Sequence, residues 1–129
     1  MRALLDTSVL ISDSGPQDVE AAISVASLAE LHFGVLVASD DDERALRTQR
    51  LGAIESTFDP IPITPEIARE WGRLAAAVRT RGGQPRRRAV DLVIAATANV
   101  EQVPLLTENP EDFQIIEDLV DIRPPRGAA

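Results

Sequence analysis

Apolar positions along the chain follow two rhythms. The first is short and unbroken. Arg2 to Asp6 carries Ala3-Leu4-Leu5 and stops at an acid, and "VPLLT" (residues 103–107) stops at Thr107. Runs this short, bounded by polar residues, predict buried strands. "AAISVAS" (residues 21–27) is apolar and β-branched enough for another. The second rhythm is helical. Leu28, Leu31, Val35 and Ala38 recur at helix spacing. Asp40 to Glu43 open a further helix to about Ser56, with acids at its positive end. Thr64 reads as an N-cap with Pro65 in the first turn, ahead of Ile67, Trp71, Leu74 and Val78 on one face. "AVDLVIAATANV" (residues 89–100) is apolar almost all round, which predicts a helix buried on most sides.

Weaker signals fill the gaps. Thr7 to Ile11 reads as a helical turn, and Asn109-Pro110 starts another turn. "FDPIPIT" (residues 58–64) reads as a proline-broken strand near a sheet edge, and "VDIRPP" as a last strand. Residues 12–18 and 80–88 are loops by their Gly, Pro and polar content. Strands alternating with helices predict an α/β fold with a mainly parallel sheet. At 129 residues the chain is expected to form one domain over residues 1–123, followed by a loose tail at 124–129.

Composition removes several chemistries. There is no Cys, so disulfides, thiolate zinc sites and thiol nucleophiles are excluded. A Ser-His-Asp triad would rest on His32 alone. No apolar run approaches the ~20 residues of a membrane span, and no signal-peptide pattern opens the chain, so a soluble cytoplasmic protein is expected. The net charge of −8 argues against a simple nucleic-acid coat. All the bases are Arg, however, and Arg79, Arg81, Arg86, Arg87 and Arg88 fall close together. This run reads equally as a phosphate-gripping patch or as a solvated loop.

Four acids stand at predicted element boundaries. Asp6 closes the first strand, Glu30 is three residues after Ser27, Asp91 lies in the first turn of the apolar helix, and Asp112 is three residues after Asn109. Each has a purely structural reading: Ser27-x-x-Glu30 is a capping box, Asn109-x-x-Asp112 a weaker one, and Asp91 a partner for a helix dipole. Together they suggest something else. In a parallel α/β sheet the strand C-terminal ends share one edge, where ligands bind. Carboxylates gathered there repel one another, and hard oxygen ligands suit magnesium or manganese.

The blocks "LLDTSVL", "SLAELHFGV", "RRRAVDLVIAATA" and "LLTENPEDF" resemble, in order, the four motif blocks of PIN-domain ribonucleases, and most nearly those of the VapC toxins of toxin–antitoxin systems. The resemblance spans nearly the whole chain. It implies a three-layer α/β/α PIN domain with a short, mainly parallel central sheet. It implies that Asp6, Glu30, Asp91 and Asp112 are the catalytic, metal-binding acids, with Asn109 as an alternative source of the fourth contribution. Thr7, Ser8 and Thr107 match hydroxyl positions that orient ligands and water, while Glu108 and Glu111 rank lower. It further implies Mg2+- or Mn2+-dependent hydrolysis of RNA, leaving 5′-phosphate and 3′-hydroxyl ends. Arg86, Arg87 and Arg88 would hold the RNA backbone. A VapB-like antitoxin would cover the active-site groove, and a homodimer is implied, with the helices at 43–56 and 64–78 as candidate surfaces.

Other readings stand beside this one. A phosphoacceptor aspartate of the receiver or dehalogenase type would also end a strand, but those families use a Lys, which this chain lacks, and the dehalogenase type needs a second Asp where Ser8 stands. A housekeeping PIN nuclease and an inactive PIN-like binding module remain as alternatives. His32 offers no base for any of them. On a helix it falls about 200° from Glu30, facing away.

Overall fold

The computed structural model describes residues 1–12, 15 and 18–126. Most of the loop expected at 12–18, and the last three residues, lie outside the described residues. Four short strands form one parallel sheet in the order β2-β1-β3-β4: β1 Arg2–Leu5, β2 Glu20–Ala22, β3 Leu105–Leu106 and β4 Ile122–Arg123. The helices are α1 Thr7–Leu10, α2 Val25–Leu36, α3 Asp41–Thr57, α4 Pro65–Thr80 and α5 Ala89–Glu101. Two 3-10 segments, Pro85–Arg88 and Pro110–Ile116, flank α5 and β3.

Strand alternation builds the three layers. Leu4 and Leu105 point to one face, where they join Ile67, Leu74 and Val78 of α4 and Leu92 and Ala95 of α5. Ala3, Leu5 and Leu106 point to the other, with Leu31 of α2 and Leu51 and Ile54 of α3. A residue period of two thus divides one short sheet between two apolar cores. The expected α/β/α arrangement is the one found. Among the described residues, no helix is long and apolar enough to cross a membrane.

Three sequence expectations change. The strand expected over residues 21–27 ends at Ala22, because Ser24 is already the N-cap of α2, its hydroxyl accepting the Ala26 N–H at 3.0 Å. The residues at 58–64 make only a parallel bridge, Ser24 to Ile61, beside β2. Pro60 and Pro62 have no N–H to extend it. Of the loose tail expected at 124–129, the described residues 124–126 include a buried Pro125, and Arg126 pairs with Glu108 at 2.7 Å.

The loop after α4 sets where the arginine run lies. Gly82 has φ +88°, and the N–H groups of Gly82 and Gly83 donate to the carbonyls of Arg79 (3.1 Å) and Val78 (2.8 Å). This is a Schellman ending, and it needs a residue tolerant of left-handed backbone at 82. At Gly83 a Cβ would lie 2.7 Å from Val78 and 2.8 Å from Ile115, so a side chain there would displace the loop. The paired glycines let the chain turn sharply from α4 into the arginine-bearing 3-10 segment.

Candidate active site

The site lies at the C-terminal ends of β1 and β3, adjacent strands between which the chain changes its direction of growth across the sheet. This is where a parallel α/β sheet leaves a crevice. Asp6 follows β1 directly and is only 4% exposed. It sits at the N-cap position of α1 without capping it. Its Oδ2 instead accepts from Ser8 Oγ (2.7 Å) and Thr107 Oγ1 (2.9 Å). Those hydroxyls are themselves held: Ser8 accepts the Glu108 N–H and Thr107 accepts the Asn109 N–H, each at 3.0 Å. Among the described residues Asp6 Oδ1 has no hydrogen-bond partner. One oxygen is anchored and one is left for something else.

Glu30 reaches the crevice from the second turn of α2. The capping-box expectation fails here: Ser24 caps the helix, and Ser27 lies inside its first turn. Glu30 Oε1 accepts from Thr7 Oγ1 at 2.6 Å, and the same hydroxyl lies 2.9 Å from Ser27 Oγ. Ser27 is fully buried beside the site, although its sequence context marks it only as a cap. The signal that could have placed it here is its i−3 relation to Glu30 on one helix face.

Asp91 lies in the first turn of α5, and its carboxylate makes no hydrogen bond among the described residues. Its carboxyl is pushed up to about 6, first by burial and then by the charges of Asp6, Asp112 and Glu30, with Arg88 pulling the other way. All four predicted acids therefore share one electrostatic environment. They do not form a ready-made coordination shell: among the described residues no three His, Asp or Glu side chains are gathered tightly enough to grip an ion unaided. Asp112 is in the first turn of the second 3-10 segment, and Arg88 steadies it, donating from Nη1 to its backbone carbonyl at 2.9 Å and lying 3.7 Å from Oδ1.

Several neighbours are settled by their partners. Asn109 makes no side-chain cap, so the weaker capping box is absent too. The Glu108 carboxylate is taken by Arg126. His32 pairs with Glu55 of α3 at 3.1 Å and contacts none of the four acids. Phe113 is buried in the core. Of the arginine run, Arg88 contacts the acids. Beside the site, Thr7 and Glu30 also line a cleft of about 410 Å³ that continues past Gly34 of α2 to Glu43, Arg47 and Arg50 of α3.

Similarity to known proteins decides the family. The PIN domain family model matches residues 3–119. Ribonuclease VapC5 of Mycobacterium tuberculosis is 38% identical over 128 residues, covering 92% of this chain and 90% of that protein. The chain is a PIN domain of the VapC ribonuclease family. A crystal structure of VapBC-5, a member of the VapBC toxin–antitoxin family from the same organism, superposes with a TM-score of 0.81 at 31% identity, covering 98% of both chains. FitAcB of Neisseria gonorrhoeae shares the PIN fold at a TM-score of 0.75 and 24% identity, covering 95% of this chain and 97% of that one.

Proposed function

We propose that this PIN domain is a Mg2+- or Mn2+-dependent endoribonuclease toxin, held inactive by a VapB-like antitoxin. The observation that carries the reading is the convergence of Asp6, Glu30, Asp91 and Asp112, from four separate elements, on the crevice beside β1 and β3. The donor set fits a hard divalent cation. It consists of carboxylate oxygens alone, Asp6 Oδ1 and the Asp91 carboxylate are unengaged among the described residues, and burial first, then the charges of Asp6, Asp112 and Glu30, raise Asp91. Asp6, Asp91, Glu30 and Asp112 would hold the ion, with Asn109 beside them. When bound, the ion supplies a more acidic water and neutralises charge on the scissile phosphate.

The protein's own groups do the rest. Thr107 and Ser8 fix the Asp6 carboxylate so that one oxygen faces the crevice. Thr7 holds Glu30 in the same way. Neither His32 nor any thiol can act as base, so water must be activated and oriented among these oxygens. Arg88 keeps Asp112 in place and offsets part of the negative field that would repel RNA.

An antitoxin segment fits the α2–α3 side. Phe33, Leu36 and Val37 at the end of α2 and Leu46 of α3 are exposed, on the two helices that line the 410 Å³ cleft. Exposed large apolar side chains on the helices that line a cleft fit an interaction surface. We also infer a homodimer, which rests on the family resemblance alone.

The test is direct. Protein purified free of antitoxin should cut RNA, and sequencing the new ends should show 5′-phosphates. Exhaustive chelation should stop cleavage, and magnesium or manganese should restore it. Cleavage that persists under chelation would refute the reading.

A further inference from the structure

The arginine run of residues 86–88 is divided between two places. A 3-10 helix turns once in about three residues and rises about 2 Å for each, so Arg86 and Arg88 point to different sides while staying about 4 Å apart along the axis. Arg88 faces Asp112. Arg86 faces a separate groove of about 610 Å³ lined by Trp71, Ala75, Ala76 and Arg79 of α4 and by Gln84 of the following loop.

This groove has an unusual complement of side chains for so acidic a chain. Several other arginines are taken up by acids: Arg73 by Glu70, Arg81 by Asp118 and Arg88 by Asp112. Arg79 and Arg86 have no hydrogen-bond or ion-pair partner among the described residues, and no acid lines the groove. Two unengaged guanidiniums lining one groove complement an anion. Trp71 supplies an indole, half-buried and held by its Nε1–H donating to the Ala89 carbonyl at 3.0 Å. Ala75 and Ala76 line the groove beside it with small side chains. A planar ring next to a phosphate is the chemistry of a nucleotide, and bases stack on aromatic side chains whatever their sequence.

Position supports the same ligand. The groove and the acid crevice flank one 3-10 turn, and Ala89, which holds the indole, lies two residues before Asp91. A single strand with its scissile phosphate at the acids would carry a neighbouring nucleotide past the groove.

We propose that the Trp71–Arg79–Arg86 groove is a subsite for a nucleotide flanking the cleavage position in single-stranded RNA, its phosphate between the two arginines and its base against the indole. The subsite rests on the ribonuclease reading of the acid crevice.

Trp71 is the sole tryptophan of the chain, so its emission reports on the groove directly. The full chain under chelation should show saturable quenching when titrated with a short oligouridylate. Arg79→Gln and Arg86→Gln should each weaken that binding by about tenfold, whereas Arg69→Gln, on α4 outside the groove, should not. With magnesium, Arg79→Gln should raise KM and leave kcat near wild type. RNA cleavage with unchanged Trp71 emission and unchanged KM would overturn the subsite while leaving the nuclease intact. Equal losses from Arg69→Gln would also overturn it, by reducing the effect to general charge. So would an emission change that follows protein concentration without RNA, since the groove would then be covered by a second copy. Quenching by oligouridylate in a protein that cleaves no RNA would instead remove the nuclease reading and keep the groove as a nucleotide site.

Discussion

Asp6 and Asp91 face the same crevice but are held in opposite ways. Asp6 is buried and accepts two hydroxyl hydrogen bonds from residues that are themselves fixed by backbone N–H groups. Asp91 is half-buried, its carboxylate has no hydrogen bond among the described residues, and it feels three like charges against one Arg. The fold therefore satisfies one carboxylate and leaves the other in deficit. A site whose acids were all caps would satisfy each of them. A site waiting for a cation needs fixed anchors and at least one group whose repulsion is relieved only when the cation arrives.

The largest test of this contrast replaces each acid with its amide. Asp6→Asn and Asp91→Asn should both cut RNA cleavage by orders of magnitude. Their stabilities should diverge. Asp6→Asn loses a charged acceptor for two hydroxyls and should be destabilised by about 1–2 kcal/mol. Asp91→Asn removes a charge that burial and then three neighbouring acids disfavour, and should be at least as stable as wild type at neutral pH. Urea titrations of both variants measure this, and equal destabilisation would break the contrast.

The pH dependence sharpens it. The Asp91 carboxyl titrates near 6 when folded, against an unfolded value of 3.8, so the folded state holds a proton the unfolded state has lost between those values. Stability of the chelated protein should therefore fall as pH rises from about 4 to about 6, and remain at the lower level above that. The difference between wild type and Asp91→Asn, measured across this range, isolates the effect from other carboxylates such as Glu70, which Arg73 shifts the other way. Magnesium should remove most of that difference at pH 7.

Glu30→Gln keeps the length of the side chain and the acceptor for Thr7 while removing the charge. It should fold like wild type, bind metal more weakly and lose about tenfold to a hundredfold in cleavage. Calorimetric metal titration and a cleavage assay on one preparation would show it; normal metal binding would leave a three-acid site. Thr107→Val takes away an anchor of Asp6 and leaves the Asn109 N–H without its acceptor. A loss of about 1–2 kcal/mol and about tenfold in activity is expected. The smallest effect should come from Arg88→Gln, which removes the cation that lowers Asp91. The Asp91 carboxyl should then titrate still higher, readable as a shift of the side-chain carbon resonance with pH.

Much of this was legible in the chain itself. Unbroken runs at Ala3–Leu5 and Leu105–Leu106 specify buried strands because a two-sided sheet asks for apolar residues at every position. Thr64-Pro65 specifies the start of α4 through local backbone chemistry, and the Asp40 cap does the same for α3. The order of four acid-bearing blocks was enough to indicate the PIN family and to nominate Asp6, Glu30, Asp91 and Asp112. These features are local, and local signals survive in a linear string.

Partnership across distance was not legible. Ser24 rather than Ser27 caps α2 because the Ile23 carbonyl and the Val25 N–H on either side of it bond to Ile61, which holds Ser24 extended at the point where β2 has already ended. That depends on where the sheet edge lies. Thr107 anchors Asp6 across a separation of 101 residues, and nothing in either sequence neighbourhood names the other. The arginines at 86–88 form one charge cluster in the string, but a 3-10 turn separates them, sending Arg88 to the acids and Arg86 to the Trp71 groove. Composition and spacing determine which chemistry the chain carries. Which hydroxyl holds which carboxylate, and which arginine remains free among the described residues, follows only from the sheet order β2-β1-β3-β4, because that order decides which strand ends meet.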